Sequence, residues 1–254
     1  MTPGTSGRLV VFAGPSCVGK SPLAKALERF HPELYGTLQP VVLYNSRAPR
    51  PGEADGVDYH FRTRAQIEAL RGKDGYVVME VRGDLQALDV EELHGVLETG
   101  DAFFEGNPAV GGVLLSDDRL RDVERLSVFM SPLSAQEICF LEEQEAVELP
   151  AVVTDLMRRK LLRRTRRQKG ELSFKDLEEV ERRAGHAYGE LREAWRYQHV
   201  LPNHDGEDSD NWEAFGFPLG DARRALLSMA ALLKGDDPPV DETWAEDLLP
   251  PADG

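Results

Sequence analysis

Cysteine is nearly absent from this 254-residue chain: Cys17 and Cys139 are the two that occur. Two isolated thiols cannot build the framework of bridges that staples a small secreted domain, and their scarcity leads to the expectation of a reducing, cytoplasmic setting. No run of about 18 apolar residues is present, so no membrane-spanning helix is expected. The first eight residues are polar and Gly-rich and lack the charged and apolar regions of a secretion signal. The histidines, His31, His60, His94, His186, His199 and His204, are scattered without metal-ligand spacing. Positive charge is the minority, 30 Lys and Arg against 45 Asp and Glu, a net charge of −15. Such a chain repels nucleic acid and anionic membrane wherever its basic residues do not cluster. No internal repeat occurs, and nothing in the pattern assigns an oligomeric state.

What is present is an ordinary globular composition, 41% hydrophobic, enough for one sizeable core. Residues 8–13 (RLVVFA) form a β-branched and aromatic run, a buried-strand candidate, and residues 22–30 (PLAKALERF) place Leu23, Ala26, Leu27 and Phe30 on one helical face. Further strands are predicted at 40–44, 59–62, 76–81, 102–105, 112–115, 126–130 and 200–202. Helices are predicted at 64–71, 90–99 and 222–233, and through most of the charged region 134–196. This alternation predicts an α/β fold with a mostly parallel sheet. The Pro-rich acidic tail 236–254 is expected to fray, with Trp244, Leu248 and Leu249 able to dock.

Between the first strand and first helix lies Gly14-Pro15-Ser16-Cys17-Val18-Gly19-Lys20-Ser21, a full match to G-x-x-x-x-G-K-[ST], the Walker A or P-loop pattern. Its glycines let backbone N–H groups turn inward onto phosphate oxygens, and the following helix offers its positive end. Lys20 is placed to neutralise the β and γ phosphates of ATP, and Ser21 to hold Mg²⁺ carried with the nucleotide. Pro22 is tolerated in the first turn of a helix. Cys17 is either a redox-sensitive thiol or a small residue filling the loop.

A second segment, residues 46–61 (SRAPRPGEADGVDYHF), carries Arg47, Arg50 and Tyr59. Two guanidinium forks and a phenol can grip a second phosphate, apart from the P-loop. With this segment the chain strongly resembles guanylate kinases: the motif is similar to their acceptor-phosphate motif almost residue for residue. The resemblance continues at residues 182–203 (RRAGHAYGELREAWRYQHVLPN), is moderate at 76–112 and weak at 138–169. It implies a P-loop three-layer fold with a small acceptor-binding region and a helical lid. The implied layout is a kinase-like domain over 1–234: core 7–40 and 100–137, acceptor-binding region 41–99, lid 138–182 and core helices 183–234. The acidic tail follows over 235–254.

The resemblance also implies roles. Arg47, Arg50 and Tyr59 would hold the acceptor phosphate, Glu80 would read a guanine edge, Glu105 would stand near the acceptor, and Arg183 would contact the triphosphate. Asn107 falls where the family carries an acid. The family's G-N-Y-Y-G-[TS] stretch is here residues 83–88 (GDLQAL), with Gln86 in place of a phosphate-gripping tyrosine and Leu88 in place of a hydroxyl that meets the base. Leu43 stands where the family has a serine.

Residues 158–167 (RRKLLRRTRR) concentrate six arginines and one lysine. Three readings stand: a lid whose arginines meet the transferring phosphate, with Arg167 first and Arg163, Arg164 and Arg166 close behind; a solvated helix paired with acidic neighbours; or a surface for nucleic acid. The expected activity is ATP-dependent phosphorylation of a nucleoside monophosphate, GMP or dGMP first, with small-molecule nucleotides as the partners. The alternatives are another nucleotide or a phosphorylated ribose as acceptor, or a catalytically weak nucleotide-binding module.

Overall fold

The computed structural model describes residues 7–50 and 52–251. The N-terminal hexapeptide, Pro51 of the Arg-rich loop and the last three residues of the tail lie outside the described residues.

In chain order the first elements are β1 (Leu9–Ala13), α1 (Lys20–Phe30), α2 (Pro32–Tyr35), β2 (Leu38–Pro40), β3 (Tyr44–Asn45), β4 (His60–Phe61) and α3 (Arg64–Glu68). Next come β5 (Tyr76–Val81), β6 (Asp84–Asp89), α4 (Val90–Leu97), β7 (Asp101–Gly106), α5 (Pro108–Ser116) and β8 (Arg125–Ser131). The chain closes with α6 (Ala135–Glu142), α7 (Leu149–Lys169), α8 (Phe174–Gly185), α9 (Ala187–Leu191), β9 (His199–Pro202) and α10 (Gly220–Lys234). One sheet runs β2-β7-β1-β8-β9 and a second runs β4-β3-β6-β5. In the first, Leu38 pairs with Asp101 and Val128 with His199, both in parallel register. Non-consecutive strand neighbours need long crossovers, here largely helical, which is the predicted α/β pattern. β1 is wholly buried, as its unbroken apolar run requires. Among the described residues no helix is long and apolar enough to cross a membrane.

The chain divides into two compact units: Met1–Val11, Thr37–Phe104 and Ala109–Arg125, and Phe12–Gly36, Glu105–Pro108 and Leu126–Gly254. The expected acceptor region lies inside the first, and the expected lid falls in the second, with the P-loop. Within the first unit, Ile67, Leu85 and Ala87 form a buried cluster on one face of the four-stranded sheet, with Tyr44, Leu70 and Val78 against it. The Thr63–Gln66 capping box starts α3, and the Asp89 carboxylate caps α4 by accepting from the N–H groups of Glu91 and Glu92. Within the second unit, α7 buries Leu149, Val153, Met157, Lys160, Leu161 and Thr165 along one stripe.

Three sequence expectations are corrected. The strand predicted at 40–44 is two: β2 pairs with β7 up to Pro40, and β3 begins the other sheet at Tyr44. The strand predicted at 112–115 is the helix α5. It begins at Pro108, which suits a first helical turn, and its apolar VGGVLL carries no period that tells strand from buried helix. The tail does not fray over its described length. Glu242 and Val200 form an antiparallel bridge, Trp244 and Leu249 are buried, and Tyr188 Oη donates to the Pro250 carbonyl at 2.8 Å. Aromatic and aliphatic burial there outweighs the disorder favoured by proline and acid.

Candidate active site

The second unit holds the P-loop. β1 delivers residues 14–19 to the start of α1, whose N-cap is Gly19 at φ 116°, with no side chain capping the helix. A Cβ at Gly19 would lie 2.5 Å from Asn203 Nδ2 and 2.8 Å from the Asp205 carbonyl, so only glycine fits the approach. Asn203, itself fully buried, donates to the carbonyls of Val18 and Asp205 at 2.8 and 2.7 Å and so buttresses the loop from behind. Its position closes the family-like segment 182–203, the one signal that pointed to it in the sequence.

Lys20 is buried, and its Nζ donates to the carbonyls of Gly14 and Pro15, both at 2.8 Å. Ser16 Oγ accepts from Arg183 Nε at 3.1 Å, so α8 delivers Arg183 to the loop. Cys17 is fully buried at φ 69°, and burial above all, with the Glu207 charge, pushes its thiol up to about 12. A thiol so rarely ionised is a poor nucleophile, which favours the space-filling reading.

Ser21 Oγ donates to Glu105 Oε1 at 2.9 Å. Burial raises the Glu105 carboxyl above its ordinary range, against the pull of Lys20 and the Ser21 hydrogen bond. Glu105 was expected near the acceptor; its partner is instead the last residue of the P-loop, because β7 ends beside it. Two residues on, Asn107 Nδ2 donates to Glu190 Oε1 at 2.7 Å, so a buried acid on α9 stands against the position where the family carries one.

Most of the basic stretch of α7 is paired. Arg158 meets Glu181, Arg159 meets Asp155, and Lys169 meets Asp176. Toward the P-loop side, Arg163, Arg164 and Arg167 meet Asp208, Glu207 and Asp210 of one acidic loop, at 2.6, 2.8 and 3.1 Å. Arg167 is half exposed, whereas the Arg164 side chain is 14% exposed. The paired-helix reading thus describes much of the segment, while Arg164 and Arg183 are the arginines brought to the loop. The acidic loop was not singled out in the sequence, where it looks like a solvated turn.

The first unit holds the second candidate phosphate site. Arg47 sits at the end of β3, its backbone N–H bonded to Asn45 Oδ1 at 3.1 Å. Its guanidinium stacks over the rings of Tyr59 and Phe61, 5.0 and 5.4 Å from their centroids. Both Nη atoms donate to the Glu53 carboxylate at 2.6 Å, and the Arg50 N–H reaches the same carboxylate at 2.7 Å. Burial raises Glu53, but these hydrogen bonds bring it below the ordinary range. Burial pushes the Tyr59 phenol up, so its hydroxyl stays a donor. Arg47 and the Arg50 backbone are therefore gathered around one carboxylate, with the Tyr59 ring against the Arg47 guanidinium, an arrangement that suits an oxyanion.

Glu80 is not brought to the face of Gln86 and Leu88. The register pairs Glu80 with Leu85, Met79 with Gln86 and Val77 with Leu88. Alternation along the strands then sets Glu80 on the α3 side of the sheet, where it is exposed and 3.6 Å from Arg64 Nη2. On the other face Gln86, Leu88, Leu43 and Asn45 are buried. Motif resemblance does not carry this face, because a hairpin's register is set by its turn, here Arg82 and Gly83 at φ 53° and 88°, and not by residue identity.

The family model for guanylate kinase matches residues 6–104. A guanylate kinase of Nocardia farcinica is 35% identical over 158 residues, covering 58% of this chain and 74% of that protein. One from Synechococcus is 53% identical over 65 residues, 26% of this chain and 28% of its own length. One from Mycobacterium sp. is 34% identical over 166 residues, covering 61% of this chain and 74% of its own. Identity sustained over nearly three quarters of two such relatives, on a chain that carries the P-loop and the arginine-rich loop, shows that this protein belongs to the guanylate kinase family.

Proposed function

We propose that this protein transfers the γ-phosphoryl group of ATP to GMP or dGMP, giving GDP or dGDP. The observation that carries the reading is the P-loop as built: Lys20 held against the loop carbonyls, Arg183 on Ser16, and Ser21 paired with Glu105. A degraded, purely scaffolding relative has no use for this set. The relatives that share the chain's sequence bear the name guanylate kinase.

Residues 14–21 would hold the triphosphate by backbone N–H groups and the uncapped start of α1. Lys20 and Arg183 would spread the charge that develops on the γ-phosphoryl group, joined by an arginine of α7. Arg167 is the sequence's candidate for that arginine, and Arg164 is the better buried. The Ser21 hydroxyl and Glu105 carboxylate are hard oxygen donors of the kind magnesium takes. Among the described residues no group of three or more His, Cys, Asp or Glu suits a metal ion, so nucleotide oxygens would complete its shell. Bound there, Mg²⁺ would neutralise phosphate charge. Arg47, Arg50 and Tyr59 would orient the acceptor phosphate after Glu53 yields the Arg47 fork.

A second reading, another nucleotide or a phosphorylated ribose as acceptor, draws support from one observation: Glu80 and the buried Leu88 lie on opposite faces of their sheet. Guanine selectivity needs polar partners for the base edge. A coupled turnover assay with a panel of monophosphates tests both readings. GMP-dependent ATP consumption supports the first, and a faster rate with another acceptor supports the second. If no monophosphate stimulates ATP consumption, the kinase proposal fails.

A further inference from the structure

The acidic loop after β9 comes to the P-loop as well as to α7. The Glu207 N–H donates to the Cys17 carbonyl at 3.2 Å, and a Cβ at Gly206 would lie 2.4 Å from that same oxygen. The backbone is thus seated on the loop that would cradle phosphate. The Glu207 carboxylate accepts from Arg164 Nη1 at 2.8 Å, and the two side chains are 19% and 14% exposed. Lys20 and Arg183 also act on this carboxylate: burial raises it, and Arg164 first, then Lys20 and Arg183, bring it below the ordinary range. These cations, with Arg183 bonded to Ser16 and Lys20 at the mouth of α1, are the ones a triphosphate would meet. Arg164 Nε is buried without a hydrogen-bond partner, so the carboxylate leaves part of this guanidinium's donor capacity unused.

A partly buried ion pair of this kind is a weak source of stability, because desolvating both charges offsets much of their attraction. Its placement points to another use. We propose that Glu207 is an internal counter-anion of the donor phosphate site: it holds Arg164 at the P-loop while no nucleotide is bound, competes with the triphosphate, and yields Arg164 to it on binding. The affinity for the donor is then set by the carboxylate that must leave as well as by the residues that stay. This rests on the reading of residues 14–21 as the ATP site.

The test is a binding titration of the full chain with ATP and, separately, with inorganic tripolyphosphate. Glu207→Gln removes the competing charge and keeps the shape, so both probes should bind roughly tenfold more tightly. Glu207→Asp keeps the charge but draws it back by one methylene, and should tighten binding less; it also serves where the amide variant does not fold. Asp155→Asn, which removes an acid of α7 paired with Arg158 and Arg159 away from the P-loop, should leave both affinities unchanged. Unchanged or weaker binding in both Glu207 variants overturns the inference, as does equal tightening by Asp155→Asn. If the wild-type chain binds neither probe, the donor-site reading itself fails and the inference falls with it. If the wild type binds both and neither Glu207 variant binds tighter, the inference alone fails.

Discussion

The Ser21 hydroxyl donates to the Glu105 carboxylate at 2.9 Å, linking the last residue of the P-loop to the end of β7. This pair sets Glu105 beside the proposed donor site and gives a direct expectation. Glu105→Ala should lower kcat by roughly 10²-fold while changing ATP affinity only a few-fold, since an acid that serves the metal acts mostly at the transferring phosphate. Steady-state kinetics beside a direct ATP titration checks this. A change confined to the KM of the monophosphate would return Glu105 to the acceptor.

Lys20 is the least replaceable side chain of the loop. Lys20→Ala should reduce transfer by about 10³-fold or more with every acceptor, because it removes the ammonium bonded to the Gly14 and Pro15 carbonyls of the loop. Full activity with any monophosphate would remove the P-loop from the mechanism.

Arg47 offers its fork to Glu53 at rest. Arg47→Ala should raise the KM for the monophosphate by about tenfold or more, and leave the KM for ATP within roughly twofold. Equal losses of both would sink the acceptor-site assignment.

Glu80 stands on the α3 side of its sheet beside Arg64. Glu80→Gln is therefore expected to change kcat/KM for GMP by less than about threefold, the scale of an exposed ion pair. A loss of two orders of magnitude would mean that Glu80 leaves Arg64 and reads the base.

His204 bridges two acids, Asp221 at 2.5 Å through Nδ1 and Glu137 at 2.9 Å through Nε2. Burial lowers its pKa, but the hydrogen bond with Asp221 and the charge of Glu137 prevail and raise it above 6.5. A raised folded-state value means that the imidazolium's contribution is complete below about pH 6.5 and is lost as pH climbs through the higher folded value. The side chain is half exposed, so solvent screens the clamp. Thermal unfolding should show the wild type exceeding His204→Gln by about 2 °C at pH 6, with the gap closing toward pH 9. A gap independent of pH would assign His204 a packing role instead.

Local pattern made several elements and one half of the site readable. The unbroken apolar run of β1, the G-x-x-x-x-G-K-S sequence and the amphipathic start of α1 agree with one another, and the structure realises all three. Arg47 and Tyr59 were legible because they lie 12 residues apart in one loop segment. Less legible was anything that depends on a partner far along the chain. Ser21 and Glu105 are 84 residues apart, and Arg164 and Glu207 are 43 apart. No periodicity records such meetings. α5 was misread for a related reason: a short apolar segment reports burial without reporting which backbone form achieves it. The tail was misread because composition speaks for solvation, whereas Trp244 and Leu249 find a surface to cover.

The sequence by itself determined the phosphate-binding pattern, since a P-loop is a local device whose glycines, lysine and helix start act within a single turn of chain. It determined the family for the same reason, through contiguous motifs. Tertiary structure alone decided which charges face one another: that Glu105 serves Ser21, that Glu80 turns toward α3, and that Glu207 rests on Arg164. Strand register and loop docking set those neighbours, and Coulomb interactions depend on distance in space, not on separation along the chain.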